Sequence, residues 1–170
     1  MEVRSVEAIV KALNGAKVKY LIVGGLAVVA HGYERLTKDV DLVIGLTPRN
    51  IIRGLRALMK IGYQMSIPVT PEDFADRKKR TRWRKSKNMI VLKLWSDNHR
   101  RTPVDVFVYE PFDFDEEYAA SKHENVMANV RAPVVSLKTL LQMKRAAGRP
   151  QDLADIADLK RIEQLKREFP

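Results

Sequence analysis

The fold is decided by the stretch YLIVGGLAVVAHGYERLTKDVDL, residues 20–42. Its apolar start predicts a buried strand over residues 18–23 that ends at two adjacent glycines, Gly24 and Gly25. Residues 26–31 then predict a brief helix. Glycine adopts backbone dihedrals closed to other residues, so the pair marks a sharp turn or a close approach to a ligand.

Two aspartates stand where the next predicted strand, Val40–Ile44, begins. Side chains alternate between the faces of a strand, so Asp39 and Asp41 are expected to point the same way while Val40 points into the core. Two carboxylates this close repel each other unless both face water or share a cation. A divalent ion such as Mg²⁺ suits them, because it prefers oxygen ligands and keeps waters and substrate phosphates in its shell.

A third carboxylate, Asp105, interrupts the apolar segment TPVDVFVYE. Taken alone, it is equally compatible with a solvent-facing acid on an edge strand. Together with Asp39 and Asp41, it favours a functional cluster with Mg²⁺ or Mn²⁺ as the expected cofactor.

The glycine pair has two interpretations. Gly24 and Gly25 precede a helix start, so their N–H groups could face a phosphate within the field of the helix N-terminus. An isolated Gly-Gly is more often a simple turn. Its weight here comes from its distance to the acids, since thirteen residues separate Gly25 from the Asp-x-Asp pair.

The rest of the chain predicts an α/β (α+β) fold, a mixed sheet of four to five strands with packed helices and a C-terminal helical tail. Residues 1–135 are expected to form the core and residues 136–170 a helical extension packed on it as one compact unit. The acidic residues 110–117 are expected to form a loop. Further helices are predicted at residues 3–14, 48–60, 137–147 and 151–166, with a short one after Thr70, and further strands at residues 63–67, 89–95 and 104–109.

The net charge of +10 is concentrated in one segment. From Arg77 to Arg101 the chain has eleven Lys/Arg residues and one acid. Such a segment is typical of contact with a polyanion, and Trp83 within it could stack on a base; the alternative is a mobile, solvated loop. The absence of cysteine and of a long apolar span favours a cytoplasmic protein without a membrane partner.

The stretch VGGLAVVAHGYERLTKDVDL resembles the signature of the DNA polymerase beta-like nucleotidyltransferase superfamily. The motif RLTKDVDL, residues 35–42, is similar to the corresponding motif of a compact bacterial branch that includes AbiEii-type toxins of toxin–antitoxin systems. The tail SLKTLLQMKRAAGRPQDLADIADLKRI is also similar to that branch. The resemblance covers roughly residues 18–44, 104–108 and 136–162.

The resemblance implies a role for each matching residue. Asp39 and Asp41 would ligate two metal ions, and Asp105 would hold the catalytic one and accept the proton of an attacking hydroxyl. Gly24 and Gly25 would cradle the triphosphate of an NTP such as ATP. The implied reaction is in-line attack on the α-phosphate, with pyrophosphate leaving.

Lys144 lies on the apolar face of its predicted helix, so its side chain either extends to solvent or binds an anion. The resemblance places a triphosphate-contacting lysine there. Just before the acids, Thr37 is expected to brace the loop, and Arg35 to meet phosphate or one of the carboxylates. Arg149, Asp152 and Asp155 are either ordinary helix-start charges or groups that position Lys144 or the nucleotide.

Two functions follow from the sequence. The first is a Mg²⁺-dependent nucleotidyltransferase that moves an NMP to an acceptor hydroxyl. RNA or tRNA is favoured as acceptor, and a protein hydroxyl or a small molecule is the alternative. One role open to the enzyme is that of a toxin paired with an antitoxin protein. The second is an inactive module of the same fold that serves as an antitoxin or a nucleic-acid adaptor.

Overall fold

A mixed β-sheet forms the centre of the computed structural model, which describes residues 1–169. Within that range the sheet has seven strands in the order β3-β4-β5-β2-β1-β7-β6. The strands are β1 (Tyr20–Val23), β2 (Val40–Ile44), β3 (Gln64–Met65), β4 (Val91–Trp95), β5 (Val104–Phe107), β6 (Lys122–Met127) and β7 (Val130–Val134).

The strand pairing brings the two central acidic strands side by side. β2 lies parallel to β5 and antiparallel to β1, while β4 pairs antiparallel with β5. β7 lies parallel to β1 on the other side and carries β6 as an antiparallel edge.

The predicted count of four to five strands was too low, because β6 and β7 were missed. The sequence of β6, KHENVM, has four polar residues in six and lacks the apolar alternation by which a half-buried strand is recognised. Its turn into β7 uses Asn129 at φ 61° rather than a glycine, which hides the hairpin signal.

Eight helices are assigned in residues 1–169, and together with the sheet they confirm the predicted mixed α/β class. They are α1 (Val3–Gly15), α2 (Gly24–Ala30), α3 (Pro48–Lys60), α4 (Pro71–Ala75), α5 (Arg77–Lys87), α6 (Phe114–Ala120), α7 (Leu137–Ala147) and α8 (Pro150–Glu168). None of them is long and apolar enough to cross a membrane.

The acidic segment at residues 110–117 was predicted to be a loop, and this was wrong in its second half. Helix α6 begins there at Phe114, and the Asp113 side chain accepts a hydrogen bond from the backbone N–H of Glu116. Acidic residues in a first helical turn are favourable because they face the positive end of the helix dipole, so the acids that suggested a loop support a helix start.

One face of the sheet is left open near β4 and β5. All four residues of β1 are buried, so that strand is covered on both sides. Along β4, Leu92 and Leu94 are buried whereas Lys93 and Trp95 are exposed. Solvent therefore reaches the Lys93 face of the sheet at this end.

Candidate active site

Two of the predicted acids lie directly opposite each other. Asp41 on β2 is the register partner of Asp105 on β5, and on its other side Asp41 pairs with Val23, the last residue of β1. Gly24 follows Val23 immediately. The sheet thus brings the glycine turn and the two carboxylates, which are 64 residues apart in the chain, into one row.

Gly24 lies against the carboxylate of Asp41. Its φ is +62°, and a Cβ added to it would stand 1.9 Å from Asp41 Oδ2, so no side chain fits. The backbone N–H of Gly25 is close enough to the same carboxylate to lower its pKa. The strand-to-helix turn is therefore shaped around an anionic group, and the N-terminus of α2 faces it.

The backbone at Gly25 is also close to the loop before β2. A Cβ at Gly25 would stand 2.3 Å from Thr37 Oγ1 and 3.5 Å from Arg35 Nη2. The Thr37 hydroxyl lies 3.5 Å from the carbonyl oxygen of Asp39. The structure therefore brings Arg35 and Thr37 to the glycine turn.

The pKa of Asp41 is raised from 3.8 to about 7. Burial is the main cause, and the negative charges of Asp39 and Asp105 add to it, against opposing effects of Arg149 and the Gly25 N–H. Low dielectric and like charges both disfavour the ionised form. The charges of Asp39 and Asp105 therefore lie close enough to Asp41 to raise its pKa.

Asp105 is nearly fully buried, and only one of its two carboxylate oxygens has a hydrogen-bond partner. Its Oδ2 accepts a hydrogen bond of 2.8 Å from Lys93 Nζ, whereas its buried Oδ1 has no hydrogen-bond partner. A buried carboxylate oxygen without a partner is costly unless another group fills the site.

Lys93 is a site residue that the sequence analysis missed. It is the register partner of Asp105 on β4, so the row continues from Asp41 through Asp105 to Lys93. A lysine at the centre of the strand VLKLW was the available signal, because it predicts one polar position on an otherwise apolar strand.

The carboxylates of this row are ligands that a divalent cation prefers, but they do not converge on a common point. Over residues 1–169, no three His, Cys, Asp or Glu side chains converge as a metal-binding group. The orphaned Asp105 Oδ1 and the mutual repulsion at Asp41 are what a shared cation would relieve. In their present arrangement the Lys93 ammonium supplies the positive charge.

A second cluster of charges ties the C-terminal helices to the loop before β2. Lys144 Nζ lies 3.1 Å from Asp152 Oδ1 and 2.6 Å from Asp155 Oδ2. Arg35 Nη1 lies 2.5 Å from the same Asp155 oxygen. Lys144, Asp152 and Asp155 are all buried. Lys144 is therefore held between two carboxylates inside the protein rather than extended into a cleft.

Arg149 connects this cluster with the acidic row. Its Nε lies 2.8 Å from Asp152 Oδ2 while its side chain is 76% exposed. Its pKa is raised by the hydrogen bond to Asp152 and by the charges of Asp152, Asp41 and Asp39. Of the two sequence interpretations of Arg149, this position supports a role at the site over that of an isolated helix-start charge.

The first half of the basic segment is a helix rather than a mobile loop. Helix α5 carries eight Lys/Arg in eleven residues and is capped by the Asp76 side chain. Arg80 is buried and donates to the backbone carbonyl of Phe74, which fixes α5 on α4. The local helix arises because the cap and this buried arginine outweigh the repulsion of so many cations.

No protein-family model matches the sequence, and no curated protein matches it. Among solved structures, the chain is similar to the lincomycin-bound crystal structure of the lincosamide antibiotic adenylyltransferase LnuA. The TM-score is 0.59 at 18% identity, and the match covers 95% of this chain and 98% of LnuA. The chain has a nucleotidyltransferase fold. This confirms the predicted fold class, while the resemblance to AbiEii-type toxins stays a prediction.

Proposed function

We propose that the protein is a Mg²⁺- or Mn²⁺-dependent nucleotidyltransferase that moves an NMP from an NTP to an acceptor hydroxyl. The observation that supports it is the in-register pair of Asp41 and Asp105, with an unpartnered buried oxygen, beside a glycine turn that faces Asp41. The nucleotidyltransferase fold supports the same class of reaction.

The three acids have distinct roles in this proposal. Asp39 and Asp41 would hold the divalent cation, which when bound stabilises charge on the phosphoryl oxygens. Asp105 would share it and take the proton of the acceptor hydroxyl. As that oxygen bonds to the α-phosphorus, the bond to the β-phosphate oxygen breaks and pyrophosphate leaves.

The phosphates of the NTP would lie between the glycine turn and the C-terminal helices. Gly24 and Gly25 would present backbone N–H groups to phosphate oxygens. Arg149 is an exposed cation whose charge interacts with those of Asp39 and Asp41, and it would contact the triphosphate. Lys144 acts through Asp152, which orients Arg149, unless it leaves its buried pairs on nucleotide binding.

RNA is the acceptor that we favour, with a tRNA end as the leading case. Its support is α5, whose cations form an exposed helical face. A protein hydroxyl is the other acceptor, and a toxin role with an antitoxin partner rests on the sequence resemblance.

The test is incorporation of label from each α-³²P NTP into total RNA or protein with Mg²⁺. Asp105→Asn should abolish incorporation, because the substitution removes a proton acceptor and keeps the shape. Asp97→Asn is the matched control, since Asp97 is an exposed acid in the turn before β5. Incorporation that survives Asp105→Asn would refute the assignment.

A second candidate is a non-catalytic module that binds nucleic acid. The observation in its favour is that Lys93 pairs with Asp105, the acid that catalysis would use to accept the proton. RNA binding that is unchanged in Asp105→Asn, with no incorporation from any NTP, would establish it.

A further inference from the structure

A groove of about 470 Å³ lies beside the acidic row, on the open face of the sheet. Residues 66–69 form one wall, and Trp83 and Lys87 of α5 form the other. Met89, Val91, Leu92 and Lys93 complete the lining. The groove has the size of a small-molecule site and combines an apolar lining with two ammonium groups.

Lys93 joins this groove to Asp105. It lines the groove and donates a 2.8 Å hydrogen bond to Asp105 Oδ2. A ligand that fills the groove and reaches Lys93 therefore ends next to the carboxylate proposed to accept the acceptor's proton.

The wall formed by Trp83 is fixed before any ligand binds. The Trp83 ring packs on Phe74 with centroids 6.4 Å apart, and its backbone carbonyl accepts the N–H of Met89. Asn88 closes the helix in the left-handed conformation at φ 49°. A preformed aromatic wall reduces the entropic cost of binding a flat ring.

The charge around the groove identifies the kind of ligand. Several cations of α5 make no ion pair in residues 1–169, and all of them are exposed: Arg77, Lys78, Arg82, Lys85 and Lys87. Lys87 shares the helix face of Trp83 and lines the groove, whereas Lys78, Arg82 and Lys85 lie on another face of α5. A flat ring for Trp83, phosphates for Lys87 and Lys93 and a hydroxyl for Asp105 are together the features of a nucleotide at the end of a strand.

We propose that the groove binds the terminal nucleoside of a single-stranded RNA, whose terminal ribose presents a hydroxyl to Asp105. This inference rests on the proposed function, because it gives the acceptor of that reaction a site. The base lies against Trp83, and Lys87 and Lys93 contact the last phosphates.

The test uses the fact that the chain has two tryptophans, Trp83 and Trp95. In Trp95→Phe, fluorescence reports Trp83 alone. A ten-nucleotide oligoadenylate in EDTA and without NTP should quench it, and the same oligonucleotide closed into a circle should not, because a circle has no end to insert. Linear RNA should bind at least about fivefold more tightly than the circle. This factor corresponds to the lower end of the stacking free energy of one base on an aromatic side chain.

Two matched comparisons locate the contact. Trp83→Phe, which keeps Trp95 and an aromatic wall, should show no quenching. Lys87→Gln should weaken linear RNA more than Lys85→Gln does, since Lys87 lines the groove and Lys85 is an exposed lysine of the same helix that does not.

Each outcome decides between the proposals. Equal quenching by the two forms, or none by either, overturns the groove as an end-binding site. NMP transfer to RNA without quenching retains the proposed function and rejects the groove. Quenching by linear RNA alone, without transfer from any NTP, retains the groove and rejects the proposed function.

Discussion

Lys93 Nζ lies 2.8 Å from Asp105 Oδ2, and the two residues are register partners on β4 and β5. The lysine side chain is 62% exposed and that of aspartate 9%. The ammonium thus approaches from solvent and neutralises a nearly buried carboxylate. It occupies the side from which a divalent cation or an acceptor would also reach Asp105.

Replacing Lys93 should make the protein depend on divalent cations for stability. Lys93→Met leaves Asp105 without its partner, and we expect the free energy of unfolding in EDTA to fall by about 1–2 kcal/mol. Excess Mg²⁺ should recover most of the loss, because it binds the folded state selectively. Urea denaturation with and without Mg²⁺ measures both effects. Lys85→Met is the control, and an equal loss in both variants would contradict the specific pairing.

Asp41→Asn should stabilise the metal-free protein at high pH. The pKa of Asp41 is about 7 when folded and 3.8 in its ordinary state, so the folded state retains the proton longer. Between about pH 4 and 7, stability of the natural protein therefore falls as pH rises, and the whole cost is present above 7. We expect a gain on the order of 2–4 kcal/mol at pH 8, vanishing near pH 4.

Thermal unfolding in EDTA at a series of pH values tests that prediction. Asp97→Asn, at an exposed acid, should give no comparable pH-dependent gain. Mg²⁺ at pH 8 should stabilise the natural protein more than Asp41→Asn. A gain in stability that does not change with pH would show that the pKa of Asp41 is not raised in the folded protein.

Gly24→Ala should be strongly destabilising. The methyl group would overlap Asp41 Oδ2, and φ of +62° disfavours any residue with a Cβ. We expect a loss of about 2–4 kcal/mol, measured by urea denaturation. Gly15→Ala is the matched control, since no atom lies within 4 Å of its added Cβ; it should be neutral or slightly stabilising. A neutral Gly24→Ala would mean that the turn relaxes freely.

Lys144→Met should cost about 3–5 kcal/mol, because it leaves Asp152 and Asp155 buried with one cation fewer. Lys138→Met, at an exposed lysine of the same helix, should have little effect. If Lys144 instead left the cluster to bind the triphosphate, an NTP analogue would protect the natural protein and not the variant. Denaturation with and without the analogue separates these roles.

The sequence predicted the central part of the site because its signals are local. The glycine turn and strand alternation place Gly24, Gly25 and Asp41 without tertiary information, and an acid in an apolar strand singled out Asp105. The row through Asp41, Asp105 and Lys93 depends on strand register, over 64 positions between Asp41 and Asp105 and over 12 between Lys93 and Asp105. The sequence pattern does not specify which residue of one strand faces which residue of the next, so Lys93 was missed.

The buried charge cluster was less predictable for a related reason. Helical spacing placed Lys144 on the apolar face, where extension to solvent and anion binding were both open. Its partners Asp152 and Asp155 belong to the next helix, and the link from Asp155 to Arg35 spans 120 positions. Only the packing of α8 decides which charges meet.

That link has a consequence for synthesis of the chain on the ribosome. The loop that carries Arg35, Thr37 and Asp39 is anchored by Asp155, so a nascent chain could pair its first strands early while this loop still lacked its anchor. Asp39, just before β2, acquires its final surroundings only after α8 has emerged and docked. The proposed active site would therefore be completed late in translation, well after the sheet that carries Asp41 and Asp105.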